Sequence, residues 1–100
     1  MTEPAETPFV RMATAFIDQA NAFSREAPQD VVATAMLHST ARYMAFATAS
    51  GADSRSLYAT ERDAAIDHFT AQFREVIAQH YDDYAANFEA YLGWDKVGKV

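Results

Sequence analysis

The densest run of chemically capable side chains is His80-Tyr-Asp-Asp-Tyr84, an imidazole, two carboxylates and two phenols within about one helical turn. Such groups can ligate a metal. Ligand pairs on a helix are spaced by three or four residues, as in His-Glu-x-x-His or Glu-x-x-His, and neither pattern occurs in the chain. His80 with Asp83 or Tyr84 is one possible pair at that spacing, which makes His80 and Asp83 the metal candidates. The competing reading is preferred because it asks for no ligand: Asp82 or Asp83 caps a helix and His80 pads the edge of a core.

The remaining polar candidates read as structural. Asp67 and His68 are adjacent and cannot face one point on a helix. His38 lies in an apolar segment and reads as a packed histidine. Arg42 sits among Thr40, Ala41, Tyr43 and Met44, where a buried guanidinium needs a carboxylate such as Asp67 or Asp83, unless its head reaches water. Asn21 and Asn87 can tie helix ends to nearby backbone. No glycine-rich phosphate loop, no nucleophile elbow and no Ser/His/Asp ordering occurs. No catalytic residue and no cofactor follow, and the sequence favours a non-enzymatic role.

The elements that hold these residues are helices. Three glycines and three prolines fall near the ends of periodic segments, alanine is abundant, and no alternating strand pattern appears. The expected fold is all-α, a small three- to four-helix bundle with helices over about 8–26, 28–50, 61–80 and 82–92. Residues 1–6 are expected to be a frayed start and 93–100 a tail of a single domain spanning 1–100. Thr7 and Pro8 suit the first cap and first turn, and Phe9, Met12, Ala13, Phe16, Ile17, Ala20 and Phe23 form one stripe.

Pro28 ends that helix and opens the next, which Gly51 would close in a left-handed conformation. Val32, Ala35, Met36, Ser39, Tyr43, Phe46 and Ala47 form its stripe, and Leu37 and Met44 form a second flank. That pattern predicts a central helix buried on more than one side. Thr60-Glu-Arg-Asp63 reads as the next cap. Ile66, Phe69, Phe73, Val76, Ile77, His80, Tyr84, Phe88 and Tyr91 then carry one stripe to Leu92, with Gly93 as the stop.

Unbroken, the run from Glu61 to Leu92 would extend about 48 Å, beyond the ~30 Å of its neighbours. Two solutions follow: a break near Tyr81 to Asp83, or one long helix whose Tyr84, Phe88, Tyr91 and Trp94 meet a second copy of the chain. The premise of the bundle is that Phe16, Phe46 and Phe73 close on one another away from water.

The chain has 100 residues and a net charge of -6, which disfavours nucleic acid and anionic membrane as partners. The absence of cysteine removes disulfide scaffolds and thiolate sites, in keeping with a cytoplasmic protein. The first seven residues are polar and do not read as a signal peptide. The stretch from Val31 to Ala49 is too polar to span a membrane. The partners expected are a second copy of the chain or another protein, met through a helical surface.

Several of these segments resemble a family of small bacterial proteins known as domain of unknown function 3144. The pieces are Phe-Ile-Asp-Gln-Ala-Asn (Phe16 to Asn21), Ala-Arg-Tyr (Ala41 to Tyr43), Ile-Asp-His-Phe (Ile66 to Phe69), Phe73-Arg74 and Asp-Asp-Tyr-Ala-Ala-Asn-Phe (Asp82 to Phe88). The resemblance runs from about Phe9 to Leu92. Where the family carries Asn-Leu before the Asp-Asp-Tyr run, this chain has His80-Tyr81. The resemblance implies a small helical bacterial protein and supplies no activity, substrate or catalytic residue.

Overall fold

A computed structural model describes residues 6–93. The first and last segments, with Trp94, lie outside the described residues. Five helices follow one another, α1 (Pro8–Phe23), α2 (Gln29–Ser50), α3 (Arg55–Thr60), α4 (Arg62–Ala86) and α5 (Phe88–Leu92), with no strand among the described residues. The chain divides between Ala52 and Asp53 into two compact units, one holding α1 and α2, the other α3, α4 and α5.

In the first unit, α1 begins as its sequence dictates. Thr7 is extended and its hydroxyl accepts from the Val10 amide at 3.2 Å, while Pro8 occupies the first turn, where no amide proton is needed. The helix ends at Phe23, ahead of the expected 26, because the chain tightens into a turn. Ser24 donates its hydroxyl to the Ala20 carbonyl at 3.1 Å, and the Ala27 amide reaches the Phe23 carbonyl at 3.0 Å. Pro28 is the cap residue of α2 and stands outside its first turn. Gly51 closes α2 at φ -92°, a right-handed conformation, so the left-handed stop expected there does not form. Among the described residues a positive φ occurs at Gly93, at φ 82° and ψ 154°, where it ends α5.

In the second unit, Ser54 supplies a cap that sequence reading missed, its extended backbone and hydroxyl receiving the Leu57 amide at 3.1 Å. Thr60 is therefore not a cap. It ends α3 and turns its hydroxyl back onto the Ser56 carbonyl at 2.8 Å. After Glu61, α4 runs unbroken through Tyr81, Asp82 and Asp83, and the interruption falls at Asn87 (φ -123°, ψ 31°). The break expected near Tyr81 to Asp83 is thus displaced by about one turn, since neither aspartate leaves helical geometry there.

Helix formation follows the sequence; closure of a core within the single chain does not. Among the described residues only Val32 is buried, at 7% exposure. Half-buried Ala20, Ala22, Ser24 and Ala27 precede it, so the first unit packs chiefly at its turn. Phe16, Phe46 and Phe73 are 70%, 63% and 55% exposed, which overturns the expectation that one chain withdraws them from water. The second flank on α2 is only partly covered, with Leu37 exposed and Met44 half-buried. The reason is geometric: two helices meeting at one end cover little of either stripe, and a unit of about 50 residues has too little interior to do more.

Candidate functional site: exposed aromatic faces and a polar clasp

The most interconnected polar group among the described residues spans the junction of α4 and α5. Asp83, Asn87 and Tyr91 are spaced by four, which puts them on one helical face. Asn87 donates its side-chain amide to the Asp83 carbonyl and to Asp83 Oδ1, both at 3.0 Å. The Tyr91 hydroxyl donates to Asp83 Oδ1 and Oδ2 at 3.2 and 3.1 Å. Side chains on a helix lean toward its N-terminus, which is why a long phenol can reach back two turns. On the way its ring meets Tyr84 edge to face, with centroids 4.9 Å apart.

The clasp answers a local electrostatic problem. Asp83 lies in the last turn of α4, where the exposed carbonyls repel a carboxylate and no basic residue offsets them. Donation from Tyr91 and Asn87 supplies the missing partners. The same arrangement raises the Tyr91 phenol above its ordinary value of 10.0, first through the hydrogen bond to Asp83, then through burial, then through the charges of Asp83 and Tyr84.

The sequence-predicted residues distribute as follows. Asp83 and Asn87 join the clasp, whereas the exposed Asp82 side chain makes no hydrogen bond or ion pair among the described residues, so the structural carboxylate is Asp83. His80 is exposed one turn before Asp83, and among the described residues no group of three or more His, Cys, Asp or Glu side chains is placed to hold a metal. Asn21 is exposed on α1. Arg42 stands exposed on α2 with no carboxylate partner in its own unit among the described residues, which fits the reading in which its head reaches water and not the buried ion pair. His68 is exposed and rests edge-on against the Phe69 ring, with centroids 5.5 Å apart. His38 lines a shallow open depression on α2 with Asp30, Val31, Thr34 and Ala35.

The larger feature is apolar. Of the twelve Phe and Tyr side chains, ten are exposed, among them Phe9, Phe16 and Phe23 on α1, Tyr43 and Phe46 on α2, and Phe73, Tyr81 and Tyr84 on α4. The interface candidates Tyr84, Phe88 and Tyr91 belong to this set, and Trp94 lies outside the described residues. The Tyr43 and Phe46 rings lie 5.9 Å apart. Among the described residues no helix is long and apolar enough to cross a membrane.

The family described as "Protein of unknown function (DUF3144)" matches residues 9–85. The chain belongs to this family. The match ends before Asn87, so it takes in the DUF3144 stretch bearing Asp83 and leaves out both donors of the clasp; the resemblance extended further, to Leu92. No curated protein and no solved structure matches the chain.

Proposed function

We propose that this DUF3144 protein is a structural and interaction module that works through its helical faces by assembling with itself. The observation that carries this reading is the set of ten exposed aromatic rings. At about 200 Å² per ring and exposures from 37% to 76%, they leave roughly 1,200 Å² of aromatic surface open to water. That area is spread over α1 and α2 of one unit and α4 and α5 of the other; one side of a standard interface covers about 800 Å².

A second copy is favoured because each apolar face is an unsatisfied half of a helical packing, and an identical chain brings the same kind of half at equal concentration. The hydroxyl-tipped rings of Tyr43, Tyr81, Tyr84 and Tyr91 suit an interface, where one end of the ring is covered and the other stays wet. On this reading residues 1–100 act as one domain. The lack of cysteine suits a reducing, cytoplasmic setting. The experiment is thermal unfolding at several protein concentrations: self-assembly requires a midpoint that rises with concentration, and a fixed midpoint removes the reading.

A further inference from the structure

We propose that α4 pairs antiparallel with α4 of a second copy of this chain, centred near Phe73, so that Arg62 of each copy lies against the His80 to Asp83 end of the other. The inference rests on self-assembly and specifies the surface and its direction. The stripe on α4 recurs at sevenfold spacing: Ile66, Phe73 and His80 form one row, and Arg62, Phe69, Val76 and Asp83 form the row beside it. Its middle is apolar, while a cation stands at one end of the seam and a carboxylate at the other, three heptads apart.

That distribution is self-complementary in one direction only. Reversing a second α4 about Phe73 sets Phe73 beside its own counterpart, Phe69 of each copy against Val76 of the other and Ile66 against His80, and brings each Arg62 to an Asp83, twice by symmetry. A parallel pair would instead gather Asp82, Asp83 and Glu89 of both copies at one end, where like charges repel and aligned helix dipoles add to the cost. The charged ends are free to take these roles. Arg62 is exposed and among the described residues is bound only to its neighbour Asp63, at 2.6 Å, an arrangement between two highly accessible side chains that contributes little. Asp83 is held in place by Tyr91 and Asn87, and its oxygens keep acceptor capacity beyond those bonds.

The other long helices lack this pattern. On α1, Arg11 and Asp18 fall on the face away from the stripe. On α2 the only charged residues in 22 positions are Asp30 and Arg42, which stand on different sides of the helix.

The chain has no cysteine, so the full-length protein can carry single probes. Arg62→Cys and Asp83→Cys chains are oxidised separately and as an equal mixture, and Ile66→Cys with His80→Cys repeats the test without touching the clasp. The expected result is disulfide-linked dimer in both mixtures and none from any single variant. Sedimentation of the unmodified chain is measured in parallel. If it associates but single variants link to themselves, or neither mixture links, the antiparallel α4 pairing is wrong while self-assembly survives. If the unmodified chain stays a monomer, both fall. Arg62→Glu, which sets like charges together, should weaken the dimer about ten-fold, from two exposed pairs at roughly three-fold each; an unchanged or tighter dimer would overturn the pairing.

Discussion

Replacing Phe73 with alanine separates a side chain covered by another copy from one covered by its own chain. Phe73 is 55% exposed on α4. A phenyl group presents about 200 Å², so roughly 110 Å² of it is available to a partner, about 2.8 kcal/mol at 25 cal/mol/Å². Alanine keeps the β-carbon, which leaves about 2 kcal/mol lost per copy and about 4 kcal/mol per dimer. The dissociation constant should rise about a thousand-fold. Were Phe73 part of a closed monomer interior, the cost would instead be about 3–5 kcal/mol of folding stability at every protein concentration. Sedimentation equilibrium of both chains, with circular dichroism at each concentration, distinguishes the two. An unchanged association constant, or a helix loss that does not depend on concentration, would refute the reasoning.

Three further outcomes follow from the geometry. Thr7→Ala removes the acceptor of the Val10 amide and should cost about 1 kcal/mol, read as lower helicity and faster amide exchange in the first turn of α1. Tyr91 should ionise above free tyrosine in an absorbance titration, and Asp83→Asn should return it toward the ordinary value. Because the folded-state value is raised, the clasp's contribution is fully present below the unfolded phenol pKa and is lost as pH rises through the folded one, so α5 amides should lose protection only in strongly alkaline solution. Arg42→Ala should change stability by no more than about 0.5 kcal/mol, as denaturant midpoints would report, since the side chain is exposed and has no carboxylate partner in its unit. A loss of several kcal/mol would mean that Arg42 is buried against a partner.

Local structure was legible where a single residue decides it. Thr7 with Pro8, Asp30 in the first turn of α2 and Gly93 after Leu92 have side chains or backbone freedom suited to one position, and each stands where its chemistry requires. The cap at Ser54 was hidden because Thr60-Glu-Arg-Asp63 offered a similar signal six residues on, and the choice turned on which hydroxyl faced forward. Asp83 was visible as a ligand or cap candidate, Asn87 as a tie to nearby backbone and Tyr91 as an interface residue. Their joining was not, because a hydrogen bond across eight residues depends on how far a phenol leans back along the helix. Periodicity marked Phe16, Phe46 and Phe73 as residues that must leave water, but the same stripe serves a core or an interface, and spacing does not tell which.

The central claim is that faces left open by one chain are closed by another. Light scattering coupled to size exclusion, carried from high to low micromolar protein, tests it most directly. The account predicts a mass of twice 11.1 kDa at the upper end, falling toward one chain on dilution. A constant mass of one chain across the whole range, with helix content intact, would contradict it.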